Sequence, residues 1–391
     1  MKVSAALVNT NVGEAYLDSG GGRIAAMDKT GIDMQVFMWN FNIPVMHIIY
    51  PPVLKNIFCL VLFLILLIAN SIVFASEKEE AVLQENTVFQ KKETVRLSKY
   101  LSLGVKVKRL DNSHTSYEFG NPDPPGQAPL SRLEFPLDSW WVGGELRASF
   151  PRFSMGIEVL QSAQGNVGGR MYDSDWDDAS APLDAKTDYG VFRCRMEPSY
   201  MARADIDMEV ADWLGLPQWI SLRPVVGMRY QHFRLNAYNG IQYDLTGVRY
   251  EPILMPESSV IRFKQTYWQY FIGVRSGIDV GKYLGVSDLK LTTQLDWAYV
   301  EGSNEDKHML REPDRFTYED TYGHAWHASI GLKKGLSKNL FLSMDFDYLQ
   351  IDTTGSHRWS VHSEGIDQSW GNGVKVWSEQ KSISLSLEYQ F

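Results

Sequence analysis

Residues 289–299, LKLTTQLDWAY, decide how the chain folds. Leu289, Leu291, Thr293, Leu295, Trp297 and Tyr299 alternate with Lys290, Thr292, Gln294 and Asp296. Successive side chains of an extended strand point to opposite faces, so a period of two gives one apolar and one polar face. The same alternation runs through Leu340, Leu342, Met344, Phe346 and Tyr348, and through Ala204, Ile206, Met208 and Val210. It closes the chain in Ile383, Leu385, Leu387, Tyr389 and Phe391. No long helical pattern occurs beyond Ser76.

A soluble sandwich and a membrane barrel share this pattern, and three features separate them. Residues 57–69, IFCLVLFLILLIA, follow Lys55 and precede Val73-Phe74-Ala75, the three-part layout of a secretory signal. Asn70 and Ser71 interrupt before the roughly 20 apolar residues of a spanning helix. Residues 1–45 therefore read as an upstream extension outside the fold, 46–75 as a signal peptide, and 76–391 as the mature protein. Secondly, short turns near 151–152, 211–217, 281–287 and 333–339 interleave with long polar stretches near 111–130, 161–188, 235–262, 301–316 and 351–375. These nine connections imply ten strands, with the even count and the turn–loop asymmetry of outer-membrane barrels. Thirdly, the terminal strand resembles the closing strand of such barrels, and Trp140, Trp141, Trp268, Tyr270 and Trp326 read as interfacial girdle residues. The expected fold is all-β: a ten-stranded antiparallel transmembrane β-barrel with long extracellular loops. Its lumen is too narrow for a wide pore, which directs attention to the loops.

The chain of 391 residues carries a formal charge of −9 and has no basic run, which argues against a nucleic-acid partner. Of two cysteines, Cys59 lies in the signal, so the mature chain holds Cys194 alone, without an internal disulfide or a Cys-based zinc site.

Two clusters carry chemistry. In GGRMYDSDWDDAS, residues 168–180, Asp173 and Asp175 stand two apart and point the same way along a strand. Crowded carboxylates do not ionise equally, and such a pair can share a proton and hold a water. In GSNEDKHML, residues 302–310, Asp306 and His308 repeat the spacing; a carboxylate can orient an imidazole and leave its other nitrogen as a base. Each pair alone reads more readily as solvated surface. An acidic run including Asp177 and Asp178 offers calcium ligands but lacks the glycine and glutamate of an EF-hand. His324 and His327 would point to opposite strand faces, unsuited to a metal.

Together, GGRMYDSDWDD and DWAYVEGSNEDKHM resemble the two signatures of the omptins, ten-stranded outer-membrane proteases, and weaker similarity runs from about residue 98 to Phe391. The resemblance implies that Asp173 and Asp175 form one catalytic couple and Asp306 and His308 the other, activating a water for hydrolysis of a peptide or protein substrate without a metal or organic cofactor. It further implies lipopolysaccharide as an activating lipid on the outer wall, where Tyr230 and Arg234 match; His232 replaces an acid, and Thr266 and Thr321 stand in for basic residues. Omptins receive a basic side chain between acidic groups. The corresponding positions here are Asn304 and, in the first loop, His114 with Glu118 nearby, while Asp188 matches a further acidic position. The expectation is a monomeric endopeptidase of the bacterial outer membrane, facing outward, with an altered cleavage preference. A non-catalytic barrel serving as adhesin or structural protein is the alternative, favoured by the lost pocket acids and opposed by the four intact catalytic-type residues.

Overall fold

The computed structural model describes residues 100–121, 127–163, 165–176, 185–311 and 315–391. The expected extension and signal peptide lie outside these residues, as do Asp177 and Asp178. Strands β1 (Leu101–Leu110), β2 (His114–Asn121), β3 (Gln127–Pro136), β4 (Trp140–Ser149), β5 (Phe153–Ser162), β6 (Met171–Asp175), β7 (Asp188–Met196) and β8 (Tyr200–Met208) come first. The longer β9 (Ile220–Asp244), the two-residue β10 (Ile253–Leu254), β11 (Ser259–Asp279), β12 (Leu289–His308), β13 (Arg315–Gly335), β14 (Leu340–Val361) and β15 (Ile366–Gln390) follow. Neighbours pair antiparallel in the order β1-β4-β5-β8-β9-β11-β12-β13-β14-β15, and β15 returns to β1, closing a ring of ten strands. Ring closure leaves no strand edge for another chain to extend.

The ring is inside-out relative to a soluble protein. Ile157, Ile272, Leu295, Ile330, Met344 and Ile383 are exposed on its outer face, whereas Asp205, Arg229, Gln294, Asp296 and His327 are buried inside. Such an outer belt suits hydrocarbon, and in hydrocarbon the closed ladder satisfies every backbone group of the spanning strands. The bore is filled by paired charges. Arg147 reaches Asp205 at 3.0 Å, Arg223 reaches Asp207 at 2.5 Å, and Lys106 bonds Glu158. Asp296 accepts from Arg229 at 2.6 Å and lies 2.8 Å from His327 Nδ1, whose Nε2 is 3.3 Å from Asp347. A cavity of about 70 Å³ is what remains beside this cluster. His324, by contrast, is exposed on the outer face, so the two histidines do diverge.

Beyond the belt the wall continues. There β2 pairs with β15, β3 with β2, β6 with β3, β7 with β6 and β9 with β7. Much of what the sequence presents as long loops is thus strand: 301–308 sits in register with both β11 and β13. Two assignments of facing are corrected by the pleat. Trp141 is buried, its Nε1 donating to Ser139 Oγ at 3.0 Å, because it follows the outward Trp140 and must point inward. Thr321 is likewise buried, next to the exposed Tyr322, and is not an outer-wall residue.

Candidate active site

The two acidic clusters reach one cavity from opposite sides of the extended wall. Asp173 and Asp175 lie on β6, opposite Leu133 and Ser131 of β3. Asp306 and His308 end β12, where Phe263 and Ile261 flank them on β11 and Thr317 and Arg315 on β13. Asp175, Asp306 and His308 line a cavity of about 160 Å³ together with Tyr117, Leu133 and Thr317. That is roughly ten times the space one buried water needs.

His308 Nε2 lies 3.1 Å from Asp306 Oδ2. This contact fixes the ring and leaves Nδ1 as the basic nitrogen. Burial opposes the imidazolium, but the charge and hydrogen bond of Asp306 outweigh it and raise the His308 pKa above its usual value. Asp173 is pushed up to about 7, first by burial and then by the like charge of Asp175, against the pull of His308. Its Oδ1 is buried without a hydrogen-bond partner, and so is Asp306 Oδ1. Buried oxygens of this kind are costly unless something else fills their hydrogen-bonding capacity.

The support behind Asp173 is aromatic. A Cβ on Gly190, its β7 partner, would meet the Phe192 ring at 2.5 Å and Asp173 Cβ at 3.3 Å; one on Gly240 would meet the same ring at 2.1 Å. Only glycine leaves room for Phe192 to pack here. Trp176 answers for its acidic neighbourhood by carrying cations: Arg132 lies 5.5 Å and Lys186 5.3 Å from its ring.

The raised Asp173 pKa has a stability consequence. Its native value of about 7 stands above the unfolded value of roughly 3.9. As pH rises from about 4 to 7 the unfolded chain releases this proton first, so stability is lost across that window. Asp173→Asn removes the loss. The variant should gain on the order of 1–3 kcal/mol at pH 8, after discounting for the half-buried position, and nothing near pH 3.5. Denaturation midpoints at the two pH values check this; an equal gain at both would contradict it.

The other expected site residues divide. Asn304 is buried one row below Asp306, between Gln265 and Glu319, with Nδ2 unpartnered. Asp188 faces the interior opposite Asp175, its Oδ1 accepting from Gln242 Nε2 at 3.3 Å. His114 does not reach the cavity. Thr115 and Tyr117 are the inward residues of β2, bonded to Gln265 and Glu319 at 2.7 and 2.8 Å, so His114 turns to the other face. Glu118 also faces outward and bonds Arg132 at 2.7 Å. On the outer wall of β9, Tyr230 packs on Trp268 at 4.6 Å, His232 Nδ1 is 2.9 Å from Thr266 Oγ1, and Arg234 pairs with Glu197 at 2.6 Å. Lys264, directly across from Arg234 and 2.8 Å from Glu305, is a wall cation the sequence did not single out. Sequence reading also missed Glu319, whose Oε1 lies 3.0 Å from His357 Nδ1. Its only sequence signal is its inward parity with Thr317.

A closed ten-strand ring with an apolar belt, a salt-bridged bore and an acid–imidazole cavity beyond the belt defines an outer-membrane β-barrel. The omptin family profile matches residues 126–391, and the chain belongs to that family of bacterial outer-membrane proteases. Among solved structures it is similar to the outer membrane protease OmpT from Escherichia coli, with TM-score 0.65 and 16% identity over 78% of this chain and 99% of that one. It also matches the translocator domain of the autotransporter NalP from Neisseria meningitidis (TM-score 0.31, 9% identity, 83% and 98% coverage). The outer membrane protein OprG from Pseudomonas aeruginosa matches with TM-score 0.32 and 11% identity over 74% and 95%. No curated protein sequence matches.

Proposed function

We propose that the protein is an endopeptidase in which Asp173, Asp175, Asp306 and His308 activate a water for attack on a peptide carbonyl, on the outward side of the membrane. The observation that carries this reading is the shared cavity: Asp175, Asp306 and His308 face it, and Asp173 feels the charges of all three. The water would sit between Asp173 and His308. Its oxygen attacks the carbonyl carbon while His308 Nδ1 takes a proton, and Asp306 stabilises the imidazolium across the 3.1 Å contact. The same proton passes to the leaving nitrogen as the C–N bond breaks, which returns His308 to its starting state. No covalent intermediate and no metal enter the scheme.

Lipopolysaccharide is proposed to contact Tyr230, Arg234 and Lys264 on the outer wall. Both cations are already paired with carboxylates, so a lipid phosphate would have to compete with Glu197 and Glu305. The test is a refolded sample given a peptide library with and without lipopolysaccharide, read by mass spectrometry. Internal cleavage is expected, faster with the lipid. A sample that is folded yet leaves every peptide intact in both arms would favour the adhesin or structural reading.

A further inference from the structure

The catalytic scheme uses the acidic side of the cavity and leaves its cationic side unexplained. Arg311 and Arg315 both line it. Arg315 stands directly across the β12–β13 ladder from His308, so the two share the inward face. Its guanidinium lies 4.8 Å from the Trp359 ring, which holds it in place from β14. Among the described residues neither arginine makes an ion pair, whereas Arg132, Arg234 and Arg358 on the same extended wall are each paired with a carboxylate at 2.5–2.7 Å. Arg311 and Arg315 instead repel each other: burial and then the neighbouring Arg311 charge hold the Arg315 pKa down.

Unpartnered donors stand near the arginines, as unpartnered oxygens of Asp173, Asp306 and Glu319 stand on the acidic side. Trp359 Nε1 and Asn304 Nδ2 are buried hydrogen-bond donors without acceptors. Asn304 is a neutral amide beside the catalytic Asp306, so it adds no charge that would attract a cation. Of the carboxylates that face the cavity, Asp306 is engaged by His308 at 3.1 Å, and Asp306 and Asp175 offset the repulsion at Arg315 without pairing with it. Glu319 lies one row deeper, with Oε1 engaged by Tyr117 and His357.

We propose that Arg311 and Arg315 form a subsite that takes a carboxylate of the substrate beside the scissile bond, so that the enzyme selects acidic over basic peptides. Paired guanidiniums suit this because each presents a planar fork that matches a carboxylate. The carboxylate is that of an Asp or Glu side chain, since an endopeptidase cuts away from the chain terminus. The inference rests on the peptidase reading for the site's role, but not on turnover for its test.

The test is binding. Fluorescein-labelled peptides with a central Glu, Gln or Lys, each with a free or amidated C-terminus and a reduced, uncleavable central amide, are titrated into the refolded full chain with lipopolysaccharide. Anisotropy should show the Glu peptide binding roughly 10–100-fold more tightly than the Lys peptide. Arg311→Gln and Arg315→Gln, each checked for folding, should bring that ratio close to one. A Glu-over-Lys ratio kept in the amidated peptides assigns the side chain, whereas equal binding of the three peptides that amidation weakens would assign the chain terminus and overturn the proposal. Tighter binding of the Lys peptide would overturn the proposal, and its collapse in Glu319→Gln would hand selection to Glu319. A Glu preference indifferent to both arginine changes would also overturn the proposal. Acid-selective binding with no hydrolysis of ordinary peptides would leave this subsite standing and count against the peptidase reading alone.

Discussion

His308→Ala should lower peptide hydrolysis by about 10³–10⁴-fold while the chain still folds into its ring, because in the proposed scheme it removes the group that accepts the water's proton. His308 ends β12 at the rim and contributes no side chain to the bore, so folding and chemistry should separate cleanly. Asp306→Asn should act differently. The imidazole stays, but the charge that raises its pKa is gone. The acid limb of the pH–rate profile reports the pKa of the essential base, and it should move to lower pH in this variant, with a smaller loss of rate. The result that would refute the assignment is a His308→Ala protein that is folded and cuts within a factor of about ten of wild type.

The second large effect lies in the bore. Asp296 is almost wholly buried and is bonded by Arg229 at 2.6 Å, by Gln294 Nε2 at 2.6 Å and by His327 at 2.8 Å. Asp296→Leu strands the Arg229 guanidinium in the wall of the barrel. Removing one member of a buried ion pair costs about 3–5 kcal/mol, since the remaining charge is left desolvated without its counterion. Asp296→Asn keeps the acceptor oxygen and should cost less. The temperature at which the folded band is lost on a detergent gel measures both, and should fall in the order wild type, Asn, Leu. A Leu variant as heat-resistant as wild type would show that the bore tolerates an unpaired cation.

The strands were readable from parity where the belt imposes it, and the ring only with the signal, the connection lengths and the closing strand beside it. In LKLTTQLDWAY and ISLSLEYQF the outward residues must be apolar for hydrocarbon and the inward ones polar, so the alternation is unmistakable. Beyond the belt that constraint ends. EGSNEDKH, residues 301–308, meets water on one face and a polar cavity on the other, so it has strand pairing without strand-like composition and reads as a loop. The same loss of contrast explains the errors of a single residue. At His114 versus Thr115, and at Thr321 versus Asp320, nothing in the local sequence fixes which neighbour turns inward, and a one-residue slip reverses the face. Spacing two conserves parity, so Asp173 with Asp175 and Asp306 with His308 each stay on one face whatever the register; it is the resemblance to the omptins that singles them out. Glu319 with Tyr117 and His357 was not legible, since those contacts join strands far apart in sequence.

In the proposed peptidase the catalytic groups stand on the paired strands β6 and β12, which serve as a fixed anvil. A target segment must arrive with its own amides and carbonyls unoccupied and bend to the anvil's shape. Tails, linkers and denatured chains meet that demand; the interior strands of a native protein do not. Partial unfolding of a target should therefore speed its cutting far more than any change in the abundance of its folded form.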